Sequence, residues 1–455
     1  STTSRSPSIR ITSIPKKNSP MTTRLLIDRI KASDIARRMT KGAFWTFTGT
    51  AMGKGFVLLT GIVCARILGR EGFGELGIIR STLGMFIILG AGGIGVTATR
   101  YISSYRQHDP QHAASLYRLS TMFSLVLGVV TTLLLLLLSG TLASDFLRAD
   151  HLSMPLAVGS GMLLLSILNS SENGTLAGLE DFRSIALNTL IASIVEAVCM
   201  IAGAYWFGLG GAIAGFGLGV LVLYLTNKRS ALRGLHKAGI TTKHQSIFKD
   251  DWKLIYRYSL PATLSAMMVT PVFWLLRSML VRTEDFGQLG IFEAADQWKV
   301  ILLFIPGAIS QIVLPILSSI TDSRKFRRTL LANLLLIGGI SLVLALLTWL
   351  LAPIIMPLYG KAFSDLMPLT YLALSTIPTA IAQILEMTLY SKERMWTCLG
   401  FNLVWGAAAI AMAYHLLQTG AGATGLAMAI LLAYTLKMLC MGTYLMTYRK
   451  KGGSR

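Results

Sequence analysis

The stretch GREGFGELGIIR, residues 69–80, recurs later in the chain as RTEDFGQLGIFE, residues 282–293. The two copies share Glu, Phe, Gly, Leu, Gly and Ile at equivalent places, and each lies at the start of a long apolar run. A second pair, TLAGLE and TLYSKE, is separated by the same 213 residues. Two matches at one offset indicate an internal duplication, with one copy in residues 41–226 and the other in residues 254–446.

The composition is that of a membrane protein. Of 455 residues, 53% are hydrophobic and 14% are charged, and the mean hydropathy is +0.60. A helix needs about 20 mainly apolar residues to cross the hydrocarbon of a bilayer. The runs that meet this requirement are 43–63, 76–99, 119–139, 155–177, 187–206, 209–226, 258–281, 288–318, 329–351, 366–390, 397–416 and 424–446.

These runs predict an all-α integral membrane protein of twelve transmembrane helices in two six-helix lobes. Because six is an even number, both lobes enter the membrane from the same side and form parallel repeats. Substrate sites of transporters with such repeats lie between the lobes, near the middle of the bilayer. The sequence therefore places a candidate site at the interface of the two repeats.

The net charge of +21 follows the predicted topology. Most of the Lys and Arg fall in segments on one side of the membrane, which the positive-inside rule makes cytoplasmic. This distribution excludes nucleic acid as the reason for the charge. It predicts a multi-pass protein of the cell inner membrane with both termini in the cytoplasm. The basic segments are an N-terminal tail, a linker and a C-terminal tail, at residues 1–40, 227–253 and 447–455.

The N-terminal tail has three further interpretations. Residues 23–39 have an amphipathic pattern that suits a short helix on the membrane surface and in contact with membrane lipids. The Ser/Thr/Pro-rich start of the tail, with no acid before Asp28, also resembles an organellar transit peptide or an extension upstream of Met21.

Several classes of protein lack support in the sequence. The predicted outer loops are too short for a folded catalytic domain, and neither GxxxxGK[ST] nor HExxH is present, so the chain is not expected to be an enzyme. The four cysteines have no ligand spacing, and no metal or cofactor is expected. Transport would then run on an ion gradient of protons or sodium, on substrate consumption, or through a partner.

Ionisable residues inside the apolar runs are the candidates for function, because each costs at least about 2.5–3.5 kcal/mol at the centre of a membrane helix. Lys54 and Lys299 lie near the middle of their runs, whereas Arg80 and Arg277 lie close enough to a run end to reach the interface instead. The remaining charges in the runs are Glu172, Glu196, Glu293, Asp296, Glu386 and Lys437.

The eighth run carries a stripe of charge. Glu293, Asp296 and Lys299 follow a spacing of three residues, which aligns them along one helix face. They could neutralise one another as structural ion pairs, or line a water-filled cavity in which Glu293 or Asp296 carries a coupling proton or takes part in gating. Pro306 and Pro315 predict a bend in the same run.

Two pairing hypotheses follow from position alone. Arg80 and Glu293 occupy equivalent places in the two repeats and could pair across the seam in one of two states. Glu172 and Glu386 lie near the inner ends of their runs, where we expect them to pair with loop cations.

The glycines of the opening stretch predict its conformation. Gly69, Gly72, Gly74 and Gly77 suit a tight outer turn and a close approach of backbones, because glycine has no Cβ and adopts left-handed conformations at little cost.

The segment KGAFWTFTGTAMGKGFVLLTGIVCARILGREGFGELGIIRSTLGMF resembles the start of polysaccharide transporter proteins. These are O-antigen or lipid-linked oligosaccharide flippases of the multidrug/oligosaccharidyl-lipid/polysaccharide exporter superfamily. ARILGREGFGELG carries most of the resemblance, and LAGLEDFRSIALNTL is similar to a second recurring segment. The resemblance extends over residues 41–446 and implies a V-shaped arrangement of two lobes, like that of multidrug and toxin extrusion carriers, around a cavity that opens alternately inward and outward.

The resemblance also implies the substrate, a polyprenyl-pyrophosphate oligosaccharide, and polysaccharide assembly proteins as partners. The positions that match the cavity cations of related flippases are Lys54, Arg80, Arg277 and Lys299. The alternatives are a drug or cation antiporter of the sister family, in which acidic cavity residues are expected, and a peptidoglycan-precursor flippase, which commonly has two further spans.

Overall fold

The computed structural model describes residues 34–91, 93–240, 269–310, 323–391 and 394–452, and all regular elements in these ranges are helical. The α-helices are α1 Asp34–Ala91, α2 Ile94–Tyr105, α3 Pro110–Thr141, α4 Ser153–Gly178, α5 Phe182–Lys237, α6 Thr270–Thr283, α7 Phe286–Leu302, α8 Ser323–Ile355, α9 Met367–Ser391, α10 Met395–Gln418 and α11 Gly422–Gly452. A π-turn at Leu142–Phe146 and 3₁₀ turns at Asp150–Leu152 and Met356–Tyr359 extend or join them.

The chain divides into two compact units, Ser1–Phe44 and Trp45–Arg455. The described part of the first unit is helical from Asp34. All features below belong to the second unit. Among the described residues, eight helical segments are long and apolar enough to cross a membrane.

Two of the long helices each contain two of the predicted runs. α1 has a kink at Gly69, with φ 71° and ψ 179°, and α5 has a kink at Gly208, with φ 60° and ψ −140°. Both conformations are accessible to glycine and strained for residues with a Cβ. Each kink lies between two apolar stretches, so the two helices of each pair meet at a glycine where the sequence predicts a loop.

The second predicted run is wrong at its far end. The expected span 76–99 ends at Ala91, and α2 begins at Ile94 after Gly93, which has a left-handed φ of 71°. The eighth run is interrupted as its proline predicts, because Pro306 cannot donate a hydrogen bond to Leu302, where α7 ends. Pro315 lies outside the described residues.

The basic segments fall partly outside the described ranges. The first part of the predicted linker, residues 227–237, continues α5 as helix. The linker from residue 241, the N-terminal tail before residue 34 with much of its predicted surface helix, and residues 453–455 are not described, and α11 continues to Gly452.

The helices within each repeat pack in equivalent pairs. In the first repeat, α4 packs against both α3 and α5, and in the second repeat α9 packs against both α8 and α11. The fourth run of each repeat is therefore the one that is most enclosed by its own repeat. This equivalence agrees with the duplication that the sequence predicts.

The two copies of the opening stretch pack against each other. A Cβ added to Gly74 would overlap the carbonyl oxygen of Phe286, and one added to Gly290 would overlap the carbonyl oxygen of Arg70. Gly77 packs in the same way against the side chain of Glu293. We call this contact between residues 70–80 and 286–293 the glycine seam, because small residues allow the helix backbones to meet there.

The glycine seam corrects the turn predicted for this stretch. Only Gly69 has a left-handed φ, whereas Gly72, Gly74 and Gly77 are helical residues of α1. The predicted close approach of backbones is confirmed at Gly74, and its partner is the other copy of the same stretch.

Candidate functional site

A cavity of about 790 Å³ lies directly beneath the glycine seam. Its walls come from both repeats, namely α1 and α5 of the first and α6, α7, α9 and α11 of the second. The ionisable side chains that line it include all the charged residues proposed from the sequence as site residues: Lys54, Arg80, Arg277, Lys299, Glu293 and Asp296. Residues that are up to 245 positions apart, from Lys54 to Lys299, are thus brought together at the interface that the duplication predicts.

Arg277 is held by two carboxylates of the neighbouring helix. Its Nε donates to Glu293 Oε1 at 2.5 Å, and its Nη2 donates to Asp296 Oδ2 at 2.8 Å. Its Nη1 donates to the carbonyl oxygen of Phe273 at 3.4 Å. All three guanidinium nitrogens therefore have acceptors, and this arginine joins α6 to α7.

Lys299 lies one helical turn beyond Asp296 on α7. Its Nζ is 3.8 Å from Asp296 Oδ1 and lies over the rings of Phe273 and Tyr434, at 5.0 and 5.6 Å from their centroids. The rings supply cation–π attraction in place of water. Glu293, Asp296 and Lys299 all line the cavity, so the structure places the predicted stripe on one face of the helix.

Arg80 has its counter-ion in its own repeat. Its Nη2 is 3.7 Å from Glu196 Oε1 on α5, and its guanidinium carbon lies 4.8 Å from the centroid of the Phe216 ring. The hypothesised pair with Glu293 is absent from this conformation, because Glu293 is bound to Arg277. Glu196, an intramembrane charge to which the sequence assigned no role, thus pairs with a cation of the cavity wall.

Lys54 differs from the other three cations. It is half-buried and lines the cavity, and no acid lies within 4 Å of its ammonium in the described part of the chain. Hydroxyl side chains of Thr50, Thr189 and Ser193 line the same wall. Because Arg277 and Lys299 are balanced by Glu293 and Asp296, and Arg80 by Glu196, Lys54 leaves one positive charge that these acids do not neutralise.

Neutral polar residues of the second repeat complete the cavity. Gln297 faces it from α7 and accepts a hydrogen bond from Tyr359, with 3.1 Å between the oxygens. Gln383 and Thr379 face it from α9. Sequence reasoning missed these residues because an amide or hydroxyl in an apolar run costs far less than a charge and gives a weaker signal.

The glycine seam forms part of the cavity wall. Phe73, Leu76 and Gly77 belong to the seam and also line the cavity wall. Two further hydrogen bonds join the repeats nearby: Arg66 Nε donates to the carbonyl oxygen of Leu358 at 2.5 Å, and Trp274 Nε1 donates to Thr82 Oγ1 at 2.9 Å.

In the described part of the chain, Glu172 and Glu386 do not pair with loop cations, and this prediction is wrong. Glu386 accepts from Lys437 at 3.3 Å, and Lys437 belongs to the apolar part of α11. Glu172 accepts from the Tyr117 hydroxyl. Both partners, Tyr117 and Lys437, lie on other helices of the bundle and not in loops.

The family described as "Polysaccharide biosynthesis protein" matches residues 39–321. The chain belongs to this family. The match contains both copies of the repeated stretch and both walls of the glycine seam.

Curated relatives agree with this membership. The chain is 29% identical over 231 residues to the EPS I polysaccharide export inner membrane protein EpsE of Ralstonia nicotianae, a match that covers 47% of this chain and 51% of the relative. It thus spans about half the length of that relative. It is also 22% identical over 311 residues to the Lipid III flippase of Escherichia coli, covering 65% of this chain and 71% of the relative.

Solved structures show the fold. An inward-facing conformation of a multidrug resistance MATE family transporter of the MOP superfamily has a TM-score of 0.76 at 18% identity and covers 88% of this chain and 96% of its own. An outward-facing conformation of such a transporter has a TM-score of 0.68, with 90% and 94% covered. This member of the polysaccharide biosynthesis family therefore has a MATE-like helical fold.

Proposed function

We propose that the protein is a flippase that moves a polyprenyl-pyrophosphate oligosaccharide, an O-antigen or related polysaccharide repeat unit, from the inner to the outer leaflet of the cell inner membrane. The observation that carries the proposal is the cavity between the repeats, with four cations on its wall and an uncompensated charge at Lys54. The names of the relatives, a polysaccharide export protein and a Lipid III flippase, support the same class of substrate.

The chemistry of the headgroup suits such a cavity. A pyrophosphate bearing sugars cannot cross hydrocarbon, since both its charges and its hydroxyls would lose their hydrogen bonds to water. Cations supply charge-assisted hydrogen bonds to phosphate oxygens, and neutral amides and hydroxyls such as Gln297, Gln383 and Thr379 suit the sugars. The polyprenyl tail stays among the membrane lipids while the headgroup passes through the cavity.

The proposed architecture is twelve spans in two six-helix lobes that rock about the cavity. The glycine seam is then the outer closure, and the inward-facing and outward-facing MATE structures are fold precedents for the two end states. The cycle is driven by a gradient of protons or sodium, and the product passes to polysaccharide assembly proteins. Both termini lie in the cytoplasm in this arrangement.

A cation antiporter would need free acids in the cavity. Glu293 and Asp296 are the acids on the cavity wall, and both are bound to Arg277. An anionic substrate fits this charge distribution better than a cationic drug does.

The test is deletion of the gene followed by complementation. We expect the deletion strain to accumulate lipid-linked oligosaccharide on the inner leaflet, and we expect complementation by Lys54→Gln to fail although the variant is folded and present in the membrane. Lys361→Gln, at an exposed lysine, is the control and should restore export. Normal surface glycan with altered drug efflux in the deletion strain would contradict the proposal and favour an antiporter.

A further inference from the structure

Glu172 is a buried carboxyl that the cavity does not use. It lies on α4, is 0% exposed, and is absent from the cavity wall. α4 is the most enclosed helix of the first repeat, with α2, α3 and α5 packed against it. The side chain is therefore shielded from both water and the proposed substrate path.

The surroundings of Glu172 differ from those of the other four acids in the predicted apolar runs. Glu293, Asp296, Glu196 and Glu386 each have an arginine or lysine nitrogen within 4 Å. Among the described residues, no arginine or lysine forms an ion pair with Glu172. Its hydrogen-bond partner in the described part of the chain is the Tyr117 hydroxyl, whose oxygen lies 3.2 Å from both Oε1 and Oε2.

The described helices around Glu172 carry other ionisable groups, and none of them forms an ion pair with it. α3 brings Tyr117, and α5 brings Tyr224 and Lys228, whose ammonium donates instead to the Tyr224 hydroxyl at 3.1 Å. α2 contributes Tyr101 as its buried ionisable side chain. Among the described residues, Lys228 thus has a tyrosine hydroxyl and not Glu172 as its hydrogen-bond partner.

The second repeat provides an internal comparison. Glu386 lies one position away from the equivalent of Glu172, near the same end of the fourth run. It accepts from Lys437, and also from Asn402 at 3.0 Å and from Tyr390 at 3.2 Å. One repeat thus surrounds its carboxyl with donors and a full positive charge, and the other supplies a single neutral hydroxyl.

The energetics separate the two protonation states of Glu172. An ionised carboxylate taken out of water needs a counter-ion and several donors to offset its lost hydration. A protonated carboxyl is neutral, and one hydroxyl partner is enough for it, because the acid can donate to the tyrosine oxygen or accept from its proton. The packing therefore fits the acid and not the carboxylate.

We propose that Glu172 is a proton-binding site of the first repeat, occupied in this conformation and emptied when the packing of α3, α4 and α5 loosens enough to admit water. The proton leaves the carboxyl oxygen for that water, and no other bond changes. The use of this proton as the coupling ion rests on the proposed flippase function. Occupancy of the site in this conformation does not depend on the flippase function.

The first experiment observes the proton directly. Infrared spectroscopy of the purified full-length protein in lipid should show the carbonyl stretch of a protonated carboxylic acid at neutral pH, and Glu172→Gln should remove this band. Glu386→Gln is the matched control and should leave it, because Lys437 keeps Glu386 ionised. Tyr117→Phe should shift the band without removing it. A band that persists in Glu172→Gln, or its absence from the unmodified protein, overturns the proposal.

The second experiment tests coupling. In vesicles that flip the lipid-linked oligosaccharide, we expect an imposed pH gradient to accelerate the unmodified protein at least several-fold and to leave Glu172→Gln unaffected. If Glu172→Gln responds to the gradient as the unmodified protein does, Glu172 is not the coupling site. If no oligosaccharide is flipped by any form while the infrared band behaves as expected, the flippase proposal fails and the proton-binding site stands.

Discussion

Replacement of Arg277 by glutamine should strongly destabilise the protein, because it removes the cation that holds two carboxylates within the membrane. Arg277 is 9% exposed, and the side chains of Glu293 and Asp296 are 15% and 16% exposed, so water replaces the lost donors poorly. Removing one partner of a buried ion pair costs about 3–5 kcal/mol. Lys299 remains 3.8 Å from Asp296 and offsets part of the loss, so we expect a decrease of about 3 kcal/mol in the free energy of unfolding.

A second substitution tests the cause. Arg277→Gln combined with Glu293→Gln leaves Asp296 paired with Lys299 and restores electrical balance to α6 and α7. We therefore expect this double variant to be more stable than Arg277→Gln alone in denaturant unfolding of the purified protein. The control is Arg282→Gln, at an exposed position on the same helix, which should change stability little.

Two outcomes would refute this reasoning. The first is that Arg277→Gln unfolds at the same denaturant concentration as Arg282→Gln. The second is that the double variant is no more stable than the single one. Either result would mean that the two carboxylates do not depend on Arg277 for their compensation, and that its contacts contribute little to packing of α6 on α7.

Gly74→Leu should prevent the glycine seam from forming, because even a Cβ at this position overlaps the Phe286 carbonyl oxygen. The measurement is the protease accessibility of the seam, and the control is Gly400→Leu, where open space surrounds the Cβ. Lys437→Met should lower the thermal stability, because it leaves Glu386 with neutral donors alone. Addition of Glu386→Gln should restore the thermal stability. A double variant as unstable as the single one would disprove the pairing. Gly69→Ala should cost about 1–3 kcal/mol of stability, because the φ and ψ of this residue are nearly exclusive to glycine, whereas a cost no larger than that of Gly84→Ala would contradict the strain.

Charge inside apolar runs was sufficient to find the ionisable part of the site from the sequence. Lys54 and Lys299 stand in stretches where an unshielded charge is too costly, so a cavity or a partner was required for each. The repeated stretch likewise predicted two related lobes with a site between them. Both predictions depend on the cost of burying a charged group and on the direction of the chain, and both quantities can be read along a single sequence.

The partners of those charges could not be read in the same way. Arg80 and Glu293 stand at equivalent places in the repeats, which suggested a pair, but Arg80 contacts Glu196 and Glu293 contacts Arg277. A run of sequence gives the depth of a residue along its helix axis at 1.5 Å per residue. It does not give the rotation of that helix about its axis relative to a neighbour, and rotation decides which side chains face each other.

The sequence by itself thus determined the class of protein, the duplication and the residues that need a polar environment. The tertiary structure decided which of them are neutralised and which are left open, because pairing depends on how helices that are distant in the chain pack together. In the structure, the helical glycines of residues 69–80 form the contact between the repeats and not the predicted turn. Among the described residues, Lys54 has no counter-ion and Glu172 has a single neutral donor, and these two differences in surroundings are the basis of the proposed substrate and proton sites.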